Sequence, residues 1–273
     1  MFVRACLLLG LAALCIYLFV TAPPPLGEDG ASVEASVSIE EAFAVLAREN
    51  DAARTLWTRE IVGAGKKVGL SFSEDWEDDG VDAGPLPALF LKETSRQLAR
   101  KPAPLSLFLG SDAPIVEGNR FAGQQAEAFA RLRATGDPQF FMDPAFDVQT
   151  AMFPDVAAAD ACVTCHNAHV DSPRDDWERG DVTGATTWTY PDATVSLDRL
   201  IELMAVYREC TRLAYERYLE KAATFSDPPP VGDAWPRDGE RVLPSADVFM
   251  AEVERSVSRD TVASLIGLVG PTR

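Results

Sequence analysis

The chain has 273 residues, enough for one large domain or two small ones and for a sizeable buried core. Hydrophobic residues make up 47% and charged residues 25%, a globular balance that sets aside wholesale disorder and collagen-like or coiled-coil architectures. Lys and Arg number 25 against 42 Asp and Glu, a formal net charge of -17, so the surface repels polyanions and nucleic acid is not an expected partner.

The N-terminus sets the expected compartment. One basic residue, Arg4, precedes a nearly unbroken apolar run from Ala5 to Ala22, and the acidic Glu28 and Asp29 follow. By the positive-inside rule residues 1–22 form a membrane anchor with a cytoplasmic start, a single pass through the inner membrane, and the folded part in the periplasm. A cleaved signal peptide is the alternative and gives the same compartment, although Pro23 directly after Ala22 is an awkward cleavage context. Lipid attachment at Cys15 is disfavoured by the bulky Leu14 before it. Residues 23–37, rich in Pro, Gly, Ser and Ala, read as a linker.

Folded structure is expected from residue 38. Ser38 with Glu41 three residues on is a capping box, and apolar spacing through Phe43, Leu46 and Leu56 predicts a helix over 39–58. Residues 67–73 alternate enough for a short strand, and 74–82 form an acidic loop. Pro85 and Pro87 precede a helix over 88–100, followed by a strand at 104–109 and a polar turn at 111–119. Residues 123–134 are good helix formers stopped by Gly136 and Pro138. Strands are expected at 140–142 and 146–152, then a connector at 154–159. The β-branched and aromatic run 181–190 predicts another strand. Leu197, Leu200, Leu203, Met204, Tyr207 and Ala214 mark a long helix over 196–223. Pro228–Pro230 break that pattern, and the tail 226–273 carries a helix begun by Ser245 and an apolar run from Val262 to Val269.

One stretch carries the chemistry. Cys162 and Cys165 flank two residues and His166 follows at once, the C-x-x-C-H pattern of c-type haem attachment. Two thiols three positions apart can each form a thioether to a haem vinyl group, while the adjacent imidazole ligates iron. Attachment takes place in exported compartments, which agrees with the N-terminal signal. His166 and His169 are the only histidines, so any His ligand or base comes from 162–169. Three other readings stay open. A zinc site on Cys162, Cys165, His166 and His169 has little room for a tetrahedron within eight residues. A thioredoxin-like redox pair lacks the βαβ setting before Cys162. Chance occurrence of the pentapeptide is the third.

The chain resembles the single-haem c-type cytochromes with a PAS-like fold that occur as exported bacterial sensory domains. The resemblance covers about residues 38–195 and rests on four features in order. These are the helix around 39–58, the Ser111-x-x-Pro114-x-x-x-x-Asn119 turn before a helix bearing Glu127, the C-x-x-C-H at 162–166, and Gly180-Asp-Val-x-Gly184-Ala185 opening the last strand. It implies an α+β fold with a central antiparallel sheet flanked by helices, one covalent haem c against that sheet, and sensing of redox state or a small ligand. In that family a cysteine of the first helix supplies the second axial ligand. Here Glu49-Asn50-Asp51 stands in roughly that stretch, so that ligation does not carry over.

Remaining sixth-ligand candidates are Met142, Met152, Met204, Cys210 and His169, with an open or water-filled position as the alternative. Phe140, Phe141, Phe146 and Trp188 are candidate pocket walls or ordinary sheet core. Residues 75–86 follow the opening of a calcium loop but carry Leu86 where its twelfth position needs Glu. No Ser-His-Asp set forms without His166 or His169, and no output domain such as a kinase or cyclase is present. The sequence therefore points to a non-enzymatic, membrane-anchored haem domain over 38–225 and a C-terminal helical tail. Cys162 and Cys165 would attach the haem and His166 would bind its iron. It would sense redox state or a diatomic gas and signal to an unidentified protein partner. The alternative is a single-haem electron carrier serving a periplasmic redox partner.

Overall fold

The computed structural model describes residues 36–158 and 160–269. The expected anchor at 1–22 and almost all of the linker lie outside the described residues, among which no helix is long and apolar enough to cross a membrane. The fold is α+β, as expected.

Strand β1 (Ser36–Ser38) runs into helix α1 (Ile39–Leu56) through the capping box: Glu41 N–H donates to Ser38 Oγ at 3.2 Å and Ser38 N–H donates to the Glu41 carboxylate at 3.2 Å. The rod does not stop there. It continues as a π-helical segment, Trp57–Gly63, and a final turn α2 (Ala64–Lys67). This corrects the strand expected over 67–73. Lys67 closes the rod, Gly69 turns the chain at φ +89°, and the strand content shrinks to β2 (Phe72–Ser73), paired in parallel with β3 (Gly84–Pro85). Helix α3 (Pro87–Leu98) begins with its proline at the first helical position, where a missing N–H costs nothing.

Strand β4 (Ser106–Gly110) leads through a loop to helix α4 (Gly123–Thr135), which ends at Gly136 in the left-handed region, its N–H donating to the Leu132 carbonyl at 2.7 Å. Strands β5 (Gln139–Asp143) and β6 (Val148–Val156) follow, then helix α5 (Asp160–Ala168), strand β7 (Val182–Tyr190), and β8 (Thr194–Ser196), which pairs with β1. The connector expected from residue 154 proves to be sheet as far as Val156. Pro154 is tolerated there because β5 ends opposite Met152, leaving β6 a neighbour on one side only. Helix α6 (Leu197–Ala222) is capped by Ser196, and the chain closes with β9 (Val231–Gly232), β10 (Leu243–Pro244) and α7 (Ala246–Val269).

The four main strands form one antiparallel sheet in the order β4-β7-β6-β5. Alternation divides its two faces. Leu107, Ala151, Trp188 and Tyr190 pack against α1, α3 and α6, whereas Met152 and Ala185 pack against Ala128, Phe129 and Leu132 of α4. A third cluster lies beyond the sheet, where Trp57, Phe90, Tyr215, Tyr218 and Phe249 join the π segment, α3, α6 and α7. The tail after residue 225 thus contributes to the core.

Gly184 marks a close approach of β7 to β4, since a Cβ there would stand 2.6 Å from the Gly110 carbonyl oxygen. Gly184→Ala is expected to cost roughly 1–3 kcal/mol, because backbone rather than a flexible side chain must yield. An unchanged urea midpoint would show that the two strands part freely.

Candidate functional site

The site begins where β6 ends. A register shift between Asp155 and Val156 bends the strand and sends the chain into α5. Cys162 and Cys165 are both free thiols one helical turn apart, half-buried and exposed respectively, and His166 beside them is half-buried. The cysteines and the imidazole are therefore presented together by one short helix.

The loop after α5 folds back to support it. The Asn167 amide donates to the Trp177 carbonyl at 3.0 Å and its oxygen accepts the Trp177 N–H at 2.9 Å. This two-way lock buries Trp177, whose ring meets the His166 ring edge-on at 6.1 Å, while the Arg174 guanidinium lies 4.0 Å over the indole. Asn167→Leu is expected to lose about 1–3 kcal/mol by leaving the Trp177 backbone groups unpaired. It is also expected to speed tryptic cleavage after Arg174 and Arg179. Equal cleavage of variant and wild type would count against the lock.

His169 is held elsewhere. Its Nδ1 accepts the Asp171 N–H at 3.1 Å, which leaves Nε2 protonated and donating to Glu74 at 2.9 Å. Both ring nitrogens are engaged, so His169 ties α5 to the loop after β2 and is not poised as a ligand.

Electrostatics follow from this packing. Burial pushes the His166 imidazole below its ordinary value, with Asp155 pulling it up, His169 pushing further down and Glu74 also pulling up. Desolvation raises the Cys165 thiol, reinforced by Glu74 and Cys162 and opposed by Lys66. That direction is opposite to the one an activated attacking thiol needs, which weakens the thioredoxin-like reading. Zinc fares no better, because among the described residues no three His, Cys, Asp or Glu side chains converge as a metal-binding group.

Helix α1 reaches the end of β6. Arg54 donates to the Asp155 carboxylate at 2.8 Å and reaches Thr186 Oγ1 at 3.5 Å. Desolvation raises the Asp51 carboxyl, which Arg54 lowers and Asp155 raises further. Glu49 and Asn50 face away toward α6: Arg208 donates to both Glu49 oxygens at 2.7 Å, and the Tyr207 hydroxyl donates to Asn50 Oδ1 at 3.1 Å. Of Glu49, Asn50 and Asp51, only Asp51 lies near the Arg54–Asp155 pair.

No family model matches the chain, and no curated protein or solved structure matches it either.

Of the five expected sixth-ligand candidates, His169 is engaged by Asp171 and Glu74, and the other four stand on β5, β6 and α6. Met152 is packed against α4; Met204 and Cys210 lie in the core between α1, α6 and the sheet, where burial pushes the Cys210 thiol up to about 11. Met142 is exposed on β5 opposite Gln149, six residues along β6 from Asp155, or about 20 Å at ~3.4 Å per strand residue. The aromatic candidates scatter likewise. Trp188 is core against Tyr207, Phe141 faces α4, and Phe140 meets Phe153 on an exposed edge while Phe146 projects into solvent.

Fit to a covalent haem is tested by the donor set and by an orphaned atom. His166 Nδ1 is buried and has no hydrogen-bond partner, and two free thiols lie on the adjacent turn. These residues fit the group. Trp177, Asn167, Glu74, Arg54 and Asp155, all missed in the sequence, complete the surroundings; Asn167, directly after His166, was the nearest to a readable signal.

Proposed function

We propose that this chain is an exported, membrane-anchored c-type haem protein with a PAS-like domain, sensing redox state or a diatomic gas for a protein partner. One observation carries the reading: α5 presents Cys162 and Cys165 as free thiols beside a half-buried His166 whose Nδ1 lacks a partner. The antiparallel sheet with helices on both faces is the arrangement the family resemblance implies, and the apolar run 5–22 supplies the export signal.

The two cysteines would form the thioethers and His166 would be the proximal ligand. Bound there, haem c supplies a one-electron redox centre and, where its sixth position is free, a site for a small ligand. Trp177 and the Asn167 lock hold the imidazole in place, and the His169–Glu74 bond ties the motif to the loop after β2.

Full-length protein matured in a host competent for cytochrome c assembly is expected to gain one haem mass and to give a haem c pyridine haemochrome. The Cys162→Ser/Cys165→Ser double variant is expected to gain none. Wild-type protein without added porphyrin mass overturns the proposal. A Soret shift on adding CO to the reduced protein supports the sensor.

Electron transfer to a basic periplasmic partner is the second reading. It is favoured by the acidic residues crowding the motif, Asp160, Asp171, Asp175, Asp176, Glu178 and Asp181. An unresponsive low-spin spectrum with salt-sensitive reduction by a basic partner would support it.

A further inference from the structure

Arg54 lies 101 residues before Asp155 in sequence, yet their ion pair stands beside the strand end from which the cysteine motif departs. The pair is only about one-fifth exposed, so its charges are poorly screened by solvent. Arg54 Nε is buried without a partner, which shows that hydrogen bonding to Asp155 and Thr186 does not use up the guanidinium. Asp51, one helical turn earlier on α1, adds a second carboxylate, so two acids share one cation. The strand end that carries Asp155 is tied to the loop that supports His166: Ala157 N–H donates to the Asp181 carbonyl at 2.9 Å, Gly180 N–H donates to the Ala157 carbonyl at 3.0 Å, and Trp177 of that loop meets the His166 ring at 6.1 Å.

We propose that Arg54 is the positioning residue that balances the charge of Asp51 and Asp155 beside the haem site, and so sets how readily the iron there is reduced. The inference rests on the haem reading above. A negative charge near iron stabilises the ferric form, so the cation on Arg54 offsets the two carboxylates and keeps the ferrous form accessible. Arg54 touches neither iron nor porphyrin in this role. It acts through Asp155.

The test compares full-length wild type with Arg54→Gln, Arg54→Lys and Asp155→Asn, all matured with haem, by redox titration of the visible spectrum. At a fixed ambient potential Arg54→Gln is expected to lower the reduced-to-oxidised ratio about tenfold, which is 59 mV for a one-electron couple. Asp155→Asn is expected to raise it, and Arg54→Lys to stay within about threefold of wild type, on the same scale. A role confined to packing would move the melting temperature of these variants without shifting potential in opposite directions. Ratios for Arg54→Gln and Asp155→Asn that match wild type, or that move the same way, overturn the inference while leaving the haem reading intact. Wild-type protein lacking porphyrin overturns both. If Arg54→Gln fails to fold, the rise with Asp155→Asn decides the matter alone.

Discussion

Replacing Trp57 with alanine is expected to lower the unfolding free energy by about 3–5 kcal/mol, the range for deleting a large buried aromatic side chain. The indole is fully buried, stacks on Phe90 at 4.4 Å with ring planes 5° apart, and meets Tyr218 edge-on at 5.1 Å. It also touches Tyr215 and Phe72 edge-on, each at 6.1 Å between ring centres, so four rings lose a neighbour at once. Around it the rod leaves α-helical geometry, and a π turn gives the surrounding wall little freedom to collapse into the void. Urea unfolding followed by near-ultraviolet circular dichroism would measure the effect. A loss below about 1.5 kcal/mol, half the lower bound above, would mean that the cluster repacks.

Arg208→Met is expected to cost about 3 kcal/mol, because it strips the bidentate partner from a carboxylate inside the core. Glu49 has no solvent exposure, while Arg208 reaches it from α6 at 2.7 Å through two nitrogens. Replacing both residues with methionine is expected to recover most of that loss, since desolvating an ion pair costs about what the pair returns. A double variant as unstable as Arg208→Met alone would show that the pair itself, rather than the loss of one partner of a buried carboxylate, holds α1 to α6. Both proteins should be compared at one pH by the same urea titration.

These two positions show where sequence reading works and where it stops. Helix α1 was legible from its capping box, Ser38 with Glu41, and its apolar spacing, α4 from good helix formers stopped by Gly136, and α6 from its apolar spacing. Strand β7 was legible from its β-branched and aromatic content, and a strand was also expected where β4 lies. The stretch 67–73 misled because its alternation mimics a strand, whereas the rod continuing from α1 claims the first residue and Gly69 turns the next ones away. The π segment leaves no signature, for Trp57 and Ile61 continue the same stripe of buried residues as Glu49 and Ala53. Cys162, Cys165 and His166 could be found because they are adjacent in sequence. Arg54 with Asp155, and His169 with Glu74, could not, since such residues are common in an acidic chain and their partners lie 101 and 95 positions away.

The stacking of Phe249 on Tyr215 at 4.2 Å, with Met250 and Val253 buried beside it, also fixes how much chain a self-sufficient folding unit needs. Truncation after Phe225 would expose the aromatic flank of α6 to water and uncover an adhesive surface. Any fragment cut to isolate the cysteine-bearing body should therefore run at least through Val257, the last buried side chain of α7 among the described residues. Insoluble shorter fragments would report on a missing wall rather than on the chemistry at α5.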